Sequence, residues 1–460
     1  MLPATTVLPR RKKKTPSRRP LEGRLRALEA ILDYLDPVPK QWLRIDSRAS
    51  SSVKLSCLPC KRYRELTSAW RKAMRWTVGL DHALAVMLAS IASTKSLGDQ
   101  LWIKVIGPAA CGKSTLCEAV SVNRKHVLAK STIRGFHSGF RGGDNGKDNS
   151  LVAKLYDKTL VTKDGDTLLK SPNLGQILSE ARDLYDSTSR THYRNSMSRD
   201  YQGVRMTWLL CGTSSLRSID NSELGERFLD CVIMERIEDD MEDEILKIVA
   251  RKADGNLSLE ANGKAETQYE PELAKAMQKT GGYVDYLREN AQQTLSEIES
   301  PEWTLDRCTR LGKFVAHMRA RPSSNQEENA ERELAARLVS QHVRLAKCLA
   351  FVLNKSKVDA RVMRRVTRVA LDTSRGQTLE IVNHLVENEE GLEPKALSVL
   401  TNRTEHKIRY MLRFLRAIEV VEVFRTVGSR GTALRPKWRL TERMQELYRE
   451  VHEGMRNNNA

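Results

Sequence analysis

The segment from Gly107 to Thr115 has residue types and spacing that can bind phosphate. It fits the pattern G-x-x-x-x-G-K-[ST], after an apolar segment that ends at Ile106 and before a helical segment. Glycines let the backbone curl so that its N–H groups surround phosphate oxygens, and the helix N-terminus adds partial positive charge. Lys113 is placed to reach the β- and γ-phosphates of ATP, and the Ser114 hydroxyl to ligate Mg²⁺. We call this segment the P-loop, and its predicted nucleotide-binding residues are Gly107, Pro108, Ala109, Ala110, Cys111, Gly112, Lys113, Ser114 and Thr115.

Two carboxylates follow a second apolar segment, in the run Thr162-Lys163-Asp164-Gly165-Asp166. Asp164 lies where an acid that coordinates Mg²⁺ together with Ser114 is expected, and Asp166 is placed to position water. A Lys-Asp-Gly-Asp surface turn is the alternative interpretation. The adjacent Asp-Glu pair that is usual in such sites is absent, so the sequence leaves the catalytic base open. Further candidates for the base are Glu180, Asp183 and Asp186.

Two more segments carry residues that could act on a γ-phosphate. Thr213 and then Ser214 follow the apolar run that ends at Cys211, and Thr213 is the first choice for contacting the phosphate or the attacking water; a simple turn is the alternative. Arg227 precedes the next apolar run, where a guanidinium can reach the γ-phosphate of a neighbouring subunit and stabilise transition-state charge. An ion pair of Arg227 with nearby Glu223 or Glu226 is the competing interpretation.

The elements that must position these residues alternate between strands and helices. The predicted strands are 101–106, His126–Ala129, Thr159–Thr162, Met206–Cys211 and Cys231–Met234. Strands that alternate with helices indicate a parallel α/β sheet, here within residues 96–238. Helical spacing is predicted for an N-terminal region over 22–95, including Tyr63–Val78 and Asp81–Thr94, and for the region 239–375.

The P-loop, the polar strand end at Thr213 and the run Gly225-Glu226-Arg227-Phe228 occur in the order found in AAA+ ATPases, which residues 80–375 resemble. Within these, the chain is most similar to the minichromosome-maintenance-type branch and to ATPases of phages and mobile elements. The resemblance implies an α/β core, a helical lid over 239–375 and ring-shaped homo-oligomers, with a hexamer possible, that bind ATP at subunit boundaries. It also implies a lid arginine that acts on the nucleotide, for which Arg337 is the candidate, although an ordinary solvated basic face is the alternative. The Lys-Asp-Gly-Asp acids depart from the family pattern, and no pore hairpin can be recognised in the sequence.

Residues 376–460 have a different pattern, in which three helical segments precede two alternating strands, Val420–Val427 and Leu434–Leu440. This order resembles a winged helix-turn-helix domain. The resemblance implies that the third helix enters the major groove of DNA and that the hairpin contacts the backbone or minor groove. Docking of another protein is the alternative. The predicted DNA-binding residues are Arg403, Lys407, Arg409, Arg413, Arg430 and Lys437.

The overall charge favours a polyanionic partner. Lys and Arg number 77 against 58 Asp and Glu, which gives a net charge of +19 and is typical of proteins that bind nucleic acid. Part of the excess lies in a basic arm, residues 1–21, which is expected to be disordered; a nucleic-acid-binding arm, a nuclear-type signal and a transit peptide stay open for it. The longest apolar run, Ala83–Ala92, is about half of what a bilayer span needs, so no membrane partner is expected.

Cysteine usage indicates a reducing compartment. The 8 cysteines have no framework spacing, and only Cys57 and Cys60 form a CxxC pair, without a second pair that would complete a zinc site. Two ordinary thiols are therefore favoured over zinc. No apolar secretion segment is recognised near the N-terminus, and we expect a cytoplasmic, DNA-associated protein of a bacterial or phage-infected cell.

Together these features predict an ATP-dependent DNA-binding ATPase that acts in DNA replication as a helicase or translocase. The alternatives are a replication initiator or helicase loader that uses ATP as an assembly switch, and a DNA-binding regulator whose ATP site controls oligomerisation. Other replication proteins are possible partners.

Overall fold

The computed structural model describes residues 55–96, 98–138, 148–193, 198–221, 227–233, 270–320, 334–374, 376–424 and 436–456. All the elements described belong to one compact unit, Lys54–Ala460. The basic arm, the part of the predicted N-terminal helical region before residue 55, the residues Glu223, Glu226 and Arg430, and the tip of the C-terminal hairpin lie outside the described residues.

A five-stranded parallel sheet forms the centre of the described fold. Its strands are β1 (Trp102–Ile106), β2 (Val127–Lys130), β3 (Lys158–Thr162), β6 (Met206–Gly212) and β7 (Phe228–Val232). The two strands between β3 and β6 form a separate small hairpin. The order across the sheet is β2-β3-β6-β1-β7. All five strands are those predicted from apolar runs, which confirms the mixed α/β fold with a parallel sheet.

The last strand begins earlier than the predicted 231–234. Asp230 interrupts the apolar run in the sequence, but it is paired with Lys104 of β1, with Lys104 Nζ 2.9 Å from Asp230 Oδ1, and both side chains are buried. The two residues are direct neighbours in the β1–β7 register. The buried ion pair therefore lets a charged residue continue the strand back to Phe228.

The small hairpin was not predicted. Strands β4 (Thr188–His192) and β5 (Ser198–Gln202) pair antiparallel, between a helix that ends at Tyr185 and strand β6. Their sequences, TSRTH and SRDYQ, are almost entirely polar, so they lack the apolar alternation from which strands are predicted.

Helices pack on both faces of the sheet. Helix α1 (Tyr63–Ala73) ends before the predicted Val78, and α2 (Val78–Ser93) begins before the predicted Asp81, because Thr77 caps it by accepting a bond from Leu80 N at 3.2 Å. Helix α2 is buried along almost its whole length, as its apolar sequence predicts. The helices between β1 and β6 are α3 (Lys113–Ser121), α4 (Gly165–Leu169) and α5 (Leu174–Tyr185).

Within the region predicted as the lid, the described residues form four helices: α6 (Pro271–Glu297), α7 (Glu302–Arg319), α8 (Ala336–Val352) and α9 (Ala360–Thr373). The last of them covers the free edge of β7. Thr373 Oγ1 accepts from Asp230 N at 2.9 Å, and Asp372 Oδ2 accepts from Val232 N at 2.8 Å. These side chains satisfy edge N–H groups that would otherwise be unpaired.

The C-terminal region contains α10 (Gln377–Glu387), α11 (Pro394–Leu400), α12 (Glu405–Ala417), an antiparallel pair β8 (Val421–Phe424) and β9 (Lys437–Leu440), and a helix that was not predicted, α13 (Glu442–Arg456). Helix α13 packs on α7. Arg307 donates to the carbonyls of Glu450 at 2.9 Å and Val451 at 3.1 Å, and the Phe314 ring lies 6.1 Å from that of Tyr448. One continuous apolar core joins this region to the lid and α2.

Within the described ranges, no helix has both the length and the apolar character needed to cross a bilayer.

Candidate functional site

The P-loop connects the carboxyl end of β1 to the first residue of α3, as predicted. Gly112 has a left-handed φ of 89°, and a Cβ there would lie 3.0 Å from Leu80 Cδ2. A Cβ on Gly107 would lie 2.7 Å from Cys111 Sγ. Both glycines are therefore required by the tight path of the loop. Residues 108–110 and Ser114 are exposed, so the loop is accessible to a ligand.

Lys113 lies along its own loop. Its Nζ donates to Gly107 O at 2.8 Å, to Pro108 O, and to Cys111 Sγ at 3.5 Å. These partners are neutral, whereas phosphate oxygens would form charge-assisted hydrogen bonds with the same ammonium. Exchange of the carbonyl partners for phosphate is therefore favourable.

Asp166 and Thr213 come together beside the P-loop. Asp166 Oδ2 accepts from Thr213 N and Oδ1 accepts from Thr213 Oγ1, each at 2.9 Å. The preceding residue, Gly212, accepts a bond from Gly107 N at 3.2 Å. Thr213 and Asp166, which are separate candidates in the sequence, therefore lie together at the carboxyl ends of the strands, where the P-loop also lies.

Asp164 is exposed and caps α4. It accepts from Thr167 N at 3.1 Å and from Thr167 Oγ1, and these bonds hold the pKa of its carboxyl below its usual range. Asp164 is therefore ionised at neutral pH, as a Mg²⁺ ligand must be. Ser214 is exposed at the start of a short 3-10 helix, and no bond to the P-loop is observed for it.

The donor set fits Mg²⁺ carried in with a nucleotide. Ser114 and Asp164 offer hard oxygen ligands, and Mg²⁺ keeps waters and phosphate oxygens as its remaining ligands. Among the described residues, no group of three or more His, Cys, Asp or Glu side chains could hold a metal by itself. Burial raises the pKa of the Cys57 and Cys60 thiols, that of Cys60 to about 11, and among the described residues no third His, Cys, Asp or Glu joins them in a metal-binding group.

Of the further base candidates, Glu180 and Asp186 are engaged elsewhere. Glu180 Oε2 accepts from Phe136 N at 2.7 Å. Asp186 Oδ2 lies 3.3 Å from Arg227 Nη2. No contact of Asp183 with the P-loop is observed, so the catalytic base stays open.

Arg227 lies at the amino ends of the central strands, whereas the P-loop lies at their carboxyl ends. It directly precedes Phe228, which pairs with Trp102, the first residue of β1. Four residues of parallel strand, roughly 13 Å, separate this level from the end of β1 at Ile106. Arg227 is therefore placed away from the P-loop of its own chain.

The guanidinium of Arg227 is held within its own subunit. It pairs with Asp186 rather than with the glutamates considered from the sequence, lies 5.3 Å from the centroid of the Tyr185 ring, and is 7% exposed. Burial lowers its pKa, and the positive charge of Arg337 adds to that shift while Asp186 opposes it.

Arg337 is brought to the same place. Its charge acts on both Arg227 and Tyr185, and one turn further along α8 Gln341 Nε2 donates to Arg227 O at 3.0 Å. The predicted lid arginine therefore lies with Arg227, away from the P-loop of its own chain.

A different lid arginine, which the sequence did not single out, approaches the P-loop edge. Arg368 Nη2 of α9 donates to Val232 O at 3.3 Å, at the carboxyl end of β7. The next residue, Ile233, bonds Ile106 O at 2.8 Å, and its carbonyl would lie 3.1 Å from a Cβ on Gly107. Arg368 is one of several basic residues spaced along an amphipathic helix, so only the burial of neighbouring positions could have distinguished it.

Apolar residues from the start of α2 and from the segment before it lie beside the P-loop, a contact that was also not predicted. Leu80 and Met74 both reach the position of Gly112, at 3.0 and 3.7 Å from its built Cβ. Trp76 stacks on Trp70 with ring centroids 5.1 Å apart.

The exposed face of α12 carries three of the six predicted DNA-binding residues. Lys407, Arg409 and Arg413 are exposed, although Arg409 also bonds Glu405. Arg403 precedes α12 and forms an ion pair with Glu380 of α10 at 2.7 Å, so it fixes the turn before α12 to α10 and is less available to a ligand. Lys437 is half-buried on β9.

Apolar residues lie on the helix before this basic face. Val399 is 76% exposed and Leu400 48% exposed, on α11. The turn between the two helices uses the left-handed Asn402, with a φ of 50°. A surface with both basic and apolar residues is compatible with DNA as a partner and with a protein as a partner.

Comparison with known proteins finds neither a family model that matches this chain nor a curated protein that matches its sequence. Its function is therefore inferred from its residues and fold.

Proposed function

We propose that this chain is an ATP-dependent DNA-binding ATPase of the AAA+ type that acts in DNA replication as a helicase or translocase. The observation that carries the proposal is that the P-loop, Asp164 and the Asp166–Thr213 pair follow neighbouring strands of one parallel sheet and lie at the carboxyl ends of those strands. Ligands of open α/β sheets bind at this edge. An ordinary glycine turn would not bring a polar strand end and an acidic run to the same place.

In this proposal Lys113 binds the β- and γ-phosphates, and Ser114 and Asp164 hold Mg²⁺, which would neutralise phosphate charge. Asp166 accepts from both the N–H and the hydroxyl of Thr213, so we assign Asp166 a positioning role. It holds the Thr213 hydroxyl oxygen beside the P-loop, where that oxygen can accept a bond from the attacking water.

The position of Arg227 supports assembly into an oligomer. Arg227 and Arg337 lie together at the amino edge of the sheet, too far from their own P-loop to act on it. If the amino strand ends of one subunit's sheet face the carboxyl strand ends of the next, both arginines face the neighbour's γ-phosphate. That arrangement would couple hydrolysis to ring formation.

The helicase proposal is tested by strand displacement on forked duplexes with ATP, with Lys113→Ala as the matched control. We expect the wild-type chain to separate strands and to hydrolyse ATP faster with DNA, and the variant to do neither. ATP turnover without strand separation on any fork would contradict the helicase proposal.

The basic face of α12 is the proposed site of DNA binding. The double variant Lys407→Gln, Arg413→Gln should weaken duplex binding and make the salt slope shallower by about 0.9 for each phosphate that is no longer neutralised. Fluorescence anisotropy over a salt series measures this, with Lys313→Gln, a variant of an exposed lysine on α7, as the control. An unchanged slope would favour protein docking through Val399 and Leu400.

A replication initiator or helicase loader that uses ATP as an assembly switch is the second candidate. In an ATP-gated DNA-binding regulator, ATP would control assembly in the same way. The sequestration of Arg227 by Asp186 favours a switch, because the guanidinium must leave a partner in its own chain before it reaches another subunit. ATP-dependent assembly with slow turnover, measured by light scattering alongside ATPase assays, would favour this candidate.

A further inference from the structure

A cavity of about 840 Å³ lies near the amino ends of the sheet's strands, whereas the P-loop lies at their carboxyl ends. Its walls come from the end of α2, from α6 and α8, and from the residues that directly precede β3 and β6, namely Asp157 and Arg205. Because Asp157 and Arg205 lie at the amino ends of their strands, the cavity is separate from the nucleotide site at the carboxyl ends.

The cavity is strongly positive. Four cations line it, and Asp157 is the one carboxylate among its lining residues; the cations are Lys95, Arg205, Arg344 and Lys347. Among the described residues, no ion pair within 4.0 Å joins any of these four cations to a carboxylate, although Asp99 and Asp157 act on Arg205 from a longer range. Arg205, Arg344 and Lys347 are partly buried, whereas Lys95 is exposed. Partly buried cations without a close counter-ion are costly unless hydrogen bonds or an anion complete the site.

The two guanidiniums are held in fixed positions. Arg205 Nη2 donates to Gly98 O at 2.9 Å, and Arg344 Nη1 donates to Ser96 O at 3.1 Å. Gly98 has a φ of 88°, and a Cβ there would lie 2.4 Å from Arg344 Nη2, so only glycine permits this approach. Arg344 Nε is buried and has no hydrogen-bond partner among the described residues. A prearranged pair of guanidiniums suits recognition of phosphate.

The remaining wall of the cavity suits an organic group. Ala291, Leu295 and Val343 supply an apolar surface, and Ser296 and Ser340 add hydroxyls beside it. The volume lies within the range of small-molecule sites, roughly 300 to 1,000 Å³, and is too small for a nucleic-acid duplex.

We propose that this cavity binds a second nucleotide, a nucleoside diphosphate or triphosphate, independently of the P-loop. The phosphates lie against Arg205 and Arg344 with Lys95 and Lys347 at the rim, and the nucleoside lies against the apolar wall. Helix α8 lines the cavity through Ser340, Arg344 and Lys347 and carries Arg337 and Gln341 at its start, so a bound nucleotide touches the helix that holds Arg227.

Equilibrium dialysis with labelled ADP tests the proposal in four forms of the full chain. The wild-type chain should bind two ADP per chain, Lys113→Ala one, and the double variant Lys95→Gln, Lys347→Gln one. Combining all three substitutions should remove binding at both sites. Each rim charge removed should weaken the second site about tenfold.

Controls separate this site from the P-loop and from changes in folding. Lys95 and Lys347 make no side-chain hydrogen bond within the described residues, so their substitution should leave the thermal unfolding midpoint unchanged. The double variant Lys275→Gln, Lys313→Gln removes two exposed lysines outside the cavity and should retain two ADP. Pyrophosphate should compete for the second site in Lys113→Ala.

Three outcomes would overturn the proposal. One is a single ADP per wild-type chain that Lys113→Ala abolishes. Another is unchanged ADP binding in the Lys95→Gln, Lys347→Gln variant. The third is a loss of DNA affinity in that variant with ADP and pyrophosphate binding intact, which would make the cavity part of a DNA surface. ADP binding that Lys113→Ala leaves untouched would instead contradict the P-loop assignment.

Discussion

The pair formed by Asp166 and Thr213 shows what single residues contribute beyond their motif. From the sequence the two are separate candidates, one for positioning water and one for contacting phosphate. In the structure one carboxylate holds both the N–H and the hydroxyl of the other residue. Their roles are therefore coupled, and a substitution in either should affect the other.

Asp166→Asn tests this coupling. An amide offers only one acceptor oxygen, so one of the two Thr213 donors loses its partner, at a cost of about 1–3 kcal/mol in the alignment of the strand end. We expect ATP turnover to fall about tenfold to a hundredfold while ADP affinity stays near that of the wild type. Steady-state kinetics and ADP titration measure the two effects.

Thr213→Ser is the matched control, because it keeps the hydroxyl and should retain most activity. Wild-type turnover in Asp166→Asn would remove the positioning role from Asp166.

His342 gives a prediction about pH. Both ring nitrogens are buried with no hydrogen-bond partner in the described part of the chain, and burial lowers the pKa of His342 to about 3. The unfolded chain binds this proton near pH 6.5, whereas the folded chain does not. The contribution of neutral His342 to the free energy of unfolding is therefore complete above pH 6.5 and is lost as pH falls towards 3. His342→Leu should therefore reduce the loss of unfolding free energy between about pH 8 and about pH 5 by about 2 kcal/mol.

Urea unfolding at the two pH values measures this difference. A His342→Leu chain that loses as much stability as the wild type would show that His342 does not titrate in this way.

At the level of secondary structure, the strands of the central sheet were predictable because each is a short, apolar run between turns. The hairpin β4–β5 was not, since its residues are polar and their pairing depends on partners from elsewhere, such as the bond between His137 and Ser189 at 2.8 Å. The start of β7 was misplaced because an isolated Asp230 looks like a boundary, and only its pairing with Lys104 across the sheet makes it buriable. Long-range pairs of this kind carry no local signal.

The side chains of α9 that cover β7 give a prediction for that edge. Thr373→Val removes the acceptor of Asp230 N, and a buried N–H left unpaired should lower the free energy of unfolding by about 1–3 kcal/mol. Urea unfolding measures the change. Thr309→Val is the control, because Thr309 donates only to Leu305 O within its own helix and should change stability little. Equal effects of the two substitutions would argue against a specific role for the edge hydrogen bond.

At the level of the whole molecule, the positions of Lys113 and Arg227 predict complementation between subunits. Lys113→Ala destroys the P-loop but keeps Arg227, and Arg227→Ala does the reverse. If each ATP site combines a P-loop from one chain with Arg227 from the next, mixing the two inactive variants should restore part of the ATPase activity, because some interfaces are then intact. Each variant alone should lose about a thousandfold in turnover.

ATPase assays over a range of mixing ratios measure this recovery. Arg364→Ala, a substitution of a half-buried arginine on α9, is a control that should not need complementation. A mixture no more active than its parts would place Arg227 outside the neighbour's site.

The packing of α13 on α7 has a mechanical consequence. Arg307 donates to two carbonyls in the last turns of α13, and aromatic rings join the same two helices, so hydrogen bonds and ring packing hold α7 and α13 together. A small rotation of α7 would swing the basic face of α12 through the same angle, with a displacement that grows with its distance from the pivot. If the proposed ATP site moves α7, we therefore expect that movement to reach the basic face of α12.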